Sequence, residues 1–241
     1  MQFVEHSFTS PEETIAMDEL LLAKAESGRL GETLRLWSAK DYFIVVGRAG
    51  RTSEDCFLEK CRQHGIKIIR RISGGGTVLE GPGCFNYSTI LSYDRDKMYR
   101  DVRGSYRRIL GKISDIFKAR GYGVEFFPVS DLALDGKKIS GNAQARKRKY
   151  FLHHGTILFD FDLEKIPVFL RHPSVEPEYR KGRAHQDFIT NIPIPYEELK
   201  ELLRCAFPPS KDVWKPDQED LRELDRLVLQ KFSVDKWNYA F

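Results

Sequence analysis

Between residues 70 and 78 the chain reads Arg70-Arg71-Ile72-Ser73-Gly74-Gly75-Gly76-Thr77-Val78. Three consecutive glycines between two apolar, strand-like runs constrain the fold more than any other segment. Glycine loses more backbone freedom on folding than any other residue, so a triplet is kept where something must approach the backbone closely, or where several N–H groups converge on an anion. Arg70 and Arg71 add planar, forked donors suited to carboxylate and phosphate. The segment predicts a cradle for an acidic, phosphate-bearing ligand, set against the alternative of a tight structural turn. No Gly-Lys-Ser/Thr follows it, and it is not G-x-G-x-x-G, so neither the Walker loop nor the dinucleotide fingerprint applies.

The remainder supplies ordinary means of holding such a loop. Ser10-Pro11-Glu12-Glu13 predicts a helix start with a capping box, running to Gly28. Strands are expected at 33–37, 42–47, 66–71 and 85–92, with a short helix over 53–64. A long amphipathic helix is expected over 101–121, where Val102, Tyr106, Ile109, Leu110, Ile113, Ile116 and Phe117 share one face. Asp135-Gly136 is a hairpin signal, a long strand follows over 150–161, and the tail carries helical patterns near 196–206 and 217–232. Interspersed strands and helices with hairpins predict a mixed α/β or α+β fold, mixed sheets flanked by helices, in one domain over 1–241. Sixteen Phe, ten Tyr and three Trp among 241 residues are enough to fill its core.

A net charge of +4 is too modest for a dedicated nucleic-acid binder. Cys56, Cys61, Cys84 and Cys205 form no CxxC pair and no zinc-ligand spacing, so they are expected to be reduced thiols. Met1 to Ser10 lacks the apolar core of a signal peptide, and the apolar runs fall short of the roughly 20 residues of a membrane helix. A cytoplasmic protein without membrane or nucleic-acid partner is the expectation.

Four further segments bear chemistry. In Lys137-Lys138-Ile139-Ser140, strand alternation puts Lys138 and Ser140 on one face and Lys137 and Ile139 on the other. Lys138 could face a site, or both lysines could be solvated. His153 and His154 are adjacent in a strand, so they face opposite sides and cannot easily share a metal. Arg146-Lys147-Arg148-Lys149 reads as a solvated hairpin tip, or else as a docking surface for an acidic protein. The segment 179–187, with Arg180 and Arg183, reads as a surface loop or a flap over a ligand.

Taken in order along the chain, these segments resemble the lipoate–protein ligase family of the biotin/lipoate ligase and octanoyltransferase superfamily. The resemblance is carried by Ala16-Met17-Asp18-Glu19, Leu34-Arg35-Leu36-Trp37, Val46-Gly47-Arg48, the glycine segment, Asn86-Tyr87-Ser88, Ser130-Asp131, Lys138-Ile139-Ser140-Gly141-Asn142-Ala143, His154-Gly155-Thr156 and Lys236-Trp237-Asn238. It implies ATP-dependent activation of lipoate to lipoyl-AMP, then transfer to a lysine of a lipoyl domain of the 2-oxoacid dehydrogenase or glycine cleavage H protein type. Carried over residue by residue, it implies that Lys138 contacts the acyl carbonyl and the α-phosphate. Arg71, Ser73, Gly74, Gly75, Gly76, Thr77 and Val78 would form the acyl-adenylate cradle. Ser140, Gly141, Ala143, His154, Gly155 and Thr156 would line its pocket, and Asp131 would position nucleotide or Mg2+.

Two departures stand out. Glu80 replaces a His of the family pattern, and the chain matches the large catalytic domain without the small accessory domain, which implies a possible separate accessory chain. The rival within the superfamily is an octanoyltransferase working through a cysteine thioester without ATP. Residues 120–160 contain no cysteine, which leaves Cys84 as the thiol expected nearest the site.

Overall fold

The structure is a computed structural model that describes residues 1–4, 6, 8–211 and 213–241. In chain order its strands are β1 (Gln2–Val4), β2 (Thr33–Trp37), β3 (Phe43–Val46), β4 (Lys67–Arg70), β5 (Val78–Glu80), β6 (Cys84–Ser92), β7 (Val124–Phe127), β8 (Asp131–Leu134), β9 (Lys137–Arg146), β10 (Tyr150–Leu158) and β11 (Val213–Trp214). The α-helices are α1 (Pro11–Glu26), α2 (Thr52–Asp55), α3 (Leu58–Gln63), α4 (Val102–Ala119), α5 (Ile166–Phe169), α6 (His185–Phe188), α7 (Tyr196–Ala206), α8 (Gln218–Leu227) and α9 (Asp235–Asn238). A π-helical turn, Val228–Phe232, extends α8.

Eight strands form one mixed sheet in the order β11-β1-β2-β6-β10-β9-β8-β7. The β2-β6-β10-β9-β8-β7 portion is antiparallel throughout, while β1 lies parallel to both of its neighbours. The other three strands form a small sheet, β4-β3-β5. This is the mixed α/β architecture that the pattern of elements predicts.

Alternation in the central strands sorts residues between two layers. Phe85, Tyr87, Leu91, Phe151 and Ile157 face α4 and α7, meeting Ile109, Leu110, Ile113, Leu202 and Leu203. On the opposite face Ile90, Leu152 and Trp37 meet Met17, Leu20 and Leu21 of α1. The small sheet joins that layer through Val45 and Ile69, and buries Ile44, Val46, Ile68 and Leu79 beneath α3 and α5.

Local signals act mostly as expected. Ser10 caps α1 by accepting from the Glu13 amide at 3.3 Å, while its own hydroxyl turns to Glu12 rather than forming a reciprocal box with Glu13. The helix expected over 53–64 splits in two, because Cys56 leaves helical geometry to bridge Leu170. Strands β1 and β11 carry too few residues to show a pattern. They exist because edge pairing, β1 against β2 and β11 against β1, satisfies their backbones. Among the described residues no helix is long and apolar enough to cross a membrane.

Candidate active site

The glycine loop joins β4 to β5 and hangs from the small sheet over β6, β10 and β9 of the large one. Its carbonyls turn into the protein. Ser73 O accepts from the Arg48 amide at 2.8 Å, and Arg71 Nη2 donates to Gly74 O at 2.6 Å and Gly76 O at 2.8 Å. Gly75 O lies so close to Gly47 Cα that a Cβ at residue 47 would run into it. Gly75 has φ +84°, the left-handed region that favours glycine. With the carbonyls inward, the N–H groups of Gly74, Gly75 and Gly76 donate to nothing among the described residues, which suits them to an anion.

Arg71 is the pin of this loop. It also donates from Nε to Ser73 Oγ at 2.9 Å and from Nη1 to Val45 O at 3.3 Å. Burial lowers its pKa to about 10 against the pull of Glu80, so it remains a cation at neutral pH. The sequence expectation had Arg71 cradling the ligand directly. Most of its donors are turned on the loop's own oxygens, while the side chain also borders the cleft.

Beneath the loop lies a buried polar array. Ser73 Oγ stands 2.6 Å from His154 Nε2, and His154 Nδ1 stands 3.1 Å from Asp18 Oδ2. Asp18, on the buried side of α1, also accepts from Ser88 Oγ and from Arg35 Nη1, both at 2.8 Å. Burial pushes the Asp18 carboxyl up, but the hydrogen bond from His154 and the charge of Arg35 outweigh it and hold it below the usual carboxylate range. The array has the members of a nucleophilic triad without its access. Ser73 is fully buried and does not border the cleft, whereas His154 does. It orients His154 and closes the loop.

Across from the loop, β8 and β9 carry a register shift between Leu132 and Ala133, so that Ile139 is the extra residue. The bulge reverses the parity that alternation predicts. Lys138 lies on the cleft side beside Gly141, where a Cβ on Gly141 would sit 3.0 Å from its Nζ. Ser140 is buried, and its Oγ accepts from Asn142 Nδ2 on the α4 side. Lys138 and Ser140 therefore do not share a face. Lys138 Nζ pairs with Asp131 Oδ1 at 2.9 Å, and Tyr179 donates its hydroxyl to Asp131 Oδ2 at 2.9 Å. Each carboxylate oxygen of Asp131 thus holds one partner on the cleft side. Among the described residues no group of three or more His, Cys, Asp or Glu could hold a metal ion.

The two histidines part as strand geometry requires. His153 is fully buried on the α4 face, between Tyr87 and Gln144, and burial lowers its pKa to about 3. On the cleft face below His154, Thr156 Oγ1 donates to Glu80 Oε1 at 2.7 Å, and Asn86 Nδ2 donates to Glu80 Oε2 at 2.9 Å. Burial raises the Glu80 pKa despite these bonds. Gly155 lets Asn142 of the neighbouring strand approach, since any Cβ there would strike its Oδ1. Cys84 departs from the sequence expectation. Its thiol is wholly buried and does not border the cleft, and burial pushes its pKa well up. Cys56 and Cys61 are buried in the same apolar cluster, and Cys205 is exposed on α7.

Together these elements wall a cleft of about 1500 Å3. Ile15, Trp37, Val45 and Val78 line one end, and Leu158, Ile166, Leu170 and Phe188 line the other. Its polar middle holds the glycine loop, His154, Glu80 and Lys138. An apolar slot opening onto anion donors and then onto a second apolar patch suits an acyl chain joined to a nucleotide. The family described as lipoyl protein ligase A/B catalytic domain matches residues 10–207. The chain belongs to that family.

Relatives of this lipoyl protein ligase A/B domain carry two kinds of name. Octanoyltransferase LipM of Geobacillus kaustophilus is 26% identical, over 99% of this chain and 97% of the relative. Lipoate–protein ligase 1 of Staphylococcus aureus is 25% identical, over 100% of this chain and 74% of the relative. In fold the chain is similar to lipoate-protein ligase A bound with ATP (TM-score 0.83, 21% identity, 99% of this chain and 98% of the other). It is equally similar to a bipartite lipoate protein ligase from Thermoplasma acidophilum (TM-score 0.83, 20% identity, 99% and 95%).

Within the domain, the residues singled out in sequence gather at one place, with two qualifications. Ser73 is buried behind the surface that the others form, and Ser140, though it borders the cleft, is almost wholly buried. In the segment 179–187, Arg180 and Arg183 stack on the Phe188 ring from 4.9 and 5.1 Å and bond to each other's carbonyls. They brace the cleft wall from within. Sequence reasoning passed over Arg35, Tyr179 and the role of Asp18. Asp18 left one signal, a carboxylate set among the apolar residues of an otherwise buried helix face.

Proposed function

We propose that this chain is a lipoate–protein ligase that forms lipoyl-AMP from lipoate and ATP, then passes the acyl group to a lysine of a lipoyl domain. The observation that carries this reading is the placement of the cysteines: among the described residues, no thiol borders the cleft, whereas Lys138 and the free glycine-loop amides do. A ligase needs no protein nucleophile, because the adenylate is itself the activated acyl donor.

In the first step the lipoate carboxylate attacks the α-phosphorus of ATP and pyrophosphate leaves. In the second the lysine amine attacks the acyl carbonyl, the C–O bond to AMP breaks, and the amide forms. Negative charge grows on the α-phosphate in the first step and on the acyl oxygen in the second. Lys138 and the amides of Gly74–Gly76 are the donors available to both. The acyl chain would occupy the end lined by Ile15, Trp37, Val45 and Val78, and the base the end lined by Leu158, Ile166 and Leu170. Magnesium bound with ATP takes most of its ligands from phosphate and water, and Asp131 in its present bonds serves to aim Lys138.

A second reading, octanoyl transfer between carrier proteins without ATP, is favoured by the LipM names of several relatives. One experiment separates the two. The purified protein is mixed with apo lipoyl domain and either lipoate with ATP and Mg2+, preformed lipoyl-AMP, or octanoyl–acyl carrier protein, and the acceptor is weighed by mass spectrometry. Gain of a lipoyl group from the first mixture supports the ligase. Gain from lipoyl-AMP alone assigns activation to an accessory chain of the kind a bipartite ligase has. Gain only from the acyl carrier overturns the reading.

A further inference from the structure

Five arginines lie between residues 95 and 108, and they divide into two groups. Arg95, Arg100 and Arg108 each pair with a carboxylate, those of Glu32, Asp94 and Asp96. Arg103 and Arg107 have no ion pair or hydrogen bond among the described residues, are exposed, and border the cleft from one turn to the next of α4. An arginine pair without a counter-ion, at the mouth of a cleft in a segment that neutralises its other arginines, is a surface built to meet negative charge.

The same surface continues to the β9–β10 turn. Arg146 reaches from that turn to α4, donating to Ser105 Oγ at 3.2 Å. The bases beyond it, Lys147, Arg148 and Lys149, make no ion pair among the described residues. The one carboxylate at the turn, Glu26, is occupied by the amides of Arg148, Lys149 and Tyr150. Glu26 thus shapes the turn while the side chains of the three bases stay outward. The basic run of the sequence and the cleft mouth form one positive band.

We propose that this band docks the acceptor protein, and that it selects a domain with an acidic surface around its acceptor lysine. This rests on the ligase reading only for the identity of the acyl donor. Electrostatic complementarity of this kind steers encounter and orientation. It would deliver the lysine at Arg107, beside the cleft, while the acidic flank lies along α4 and the turn. The cleft's phosphate donors are the free loop amides and Lys138, which leaves the outward arginines for a macromolecule.

The test uses Arg103→Glu with Arg107→Glu in the full chain, and Arg103→Gln with Arg107→Gln as a milder pair. Transfer to an acidic apo lipoyl domain is measured from lipoyl-AMP, and ATP–pyrophosphate exchange is measured beside it. The expected result is a rise of about tenfold or more in KM for the acceptor, with exchange unchanged. The wild-type KM should also rise between about 50 and about 200 mM salt, and the variant's much less. Lysines in place of the acceptor's acidic residues should restore the variant. An unchanged acceptor KM would overturn the proposal. So would a rise in the ATP KM of exchange, which would make these arginines nucleotide ligands, or tighter binding of duplex DNA than of the acceptor. If the protein accepts acyl groups only from an acyl carrier, the ligase reading falls, and the same variants measured with that donor still decide the docking face.

Discussion

Ser73 Oγ and His154 Nε2 lie 2.6 Å apart, joining residues from the two sheets across the floor of the cleft. The contact fixes the glycine loop to β10, and Asp18 fixes the imidazole from behind. Asp18→Ala would leave Arg35 buried without its counter-charge and is expected to destabilise by about 3–5 kcal/mol. Ser73→Ala leaves Asp18 and Arg35 paired and should cost only about 1–2 kcal/mol, with a loosened loop and a raised KM for ATP. Denaturant unfolding of both variants, with exchange kinetics for Ser73→Ala, checks this. Equal stability losses would contradict it.

Lys138 stands on the cleft face only because of the bulge at Ile139. Lys138→Ala should reduce lipoyl transfer by about a hundredfold to a thousandfold, as for loss of one strong transition-state donor. Its side chain is part-exposed, so the melting temperature should stay within a few degrees. Inserting one residue between Leu132 and Ala133 would give Ile139 a partner, restore regular alternation in β9 and turn Lys138 away, so that variant should be as inactive as Lys138→Ala, whereas deleting Ile139 leaves Lys138 opposite Ala133 and should spare activity. Full activity in the insertion variant would show that the bulge does not aim the lysine.

Gly47 and Gly75 touch backbone to backbone. Gly47→Ala would force a methyl group into the Gly75 carbonyl, and since neither is a flexible side chain, the loop itself must move. The expected outcome is loss of ATP–pyrophosphate exchange with the fold retained. By contrast Gly74→Ala meets nothing within 4 Å in this structure and should fold without loss. Matching exchange rates for the two variants would count against the packing argument.

Arg70 joins the loop after β3 to the C-terminal segment. Its guanidinium donates to Gly47, Arg48 and Gly50 on one side and to Trp237, Asn238 and Ala240 on the other. Arg70→Leu would strand several buried carbonyls and should cost about 3 kcal/mol or more. Arg70→Lys should recover part of that, because an ammonium offers three donors in place of five. Thermal melts of the pair provide the measurement.

His153 predicts an acid-labile fold. Burial, with the neighbouring His154 adding to it, lowers its pKa to about 3 against an ordinary value of 6.5. Below pH 6.5 the unfolded chain takes up a proton that the folded chain refuses, so stability is fully present above that pH and falls as pH drops toward 3. Between pH 7 and pH 5 this one group should remove about 2 kcal/mol. In His153→Gln the loss over that interval should shrink by most of that amount. An unchanged pH profile would mean that His153 can protonate in place.

By itself the sequence determined the elements whose causes are local. The glycine triplet, the cap at Ser10, the apolar stripe of α4 and the Asp135-Gly136 turn each specify their own backbone within a few residues, and the family resemblance followed from their order. It also determined that His153 and His154 part company, because the strand period is two. What tertiary structure decided is which face each polar residue serves. One extra residue against β8 moved Lys138 away from Ser140, and no period within β9 encodes a bulge set by its partner strand. Arg71 became the pin of the loop, at the border of the cleft, because carbonyls of its own loop, folded back over β3, engage its donors. Cys84 lies beside the loop in sequence, yet the β5–β6 turn carries it under the small sheet, where burial holds its thiol protonated. Charge and hydrogen-bonding capacity are written in residue identity, whereas their direction depends on what long-range packing places opposite.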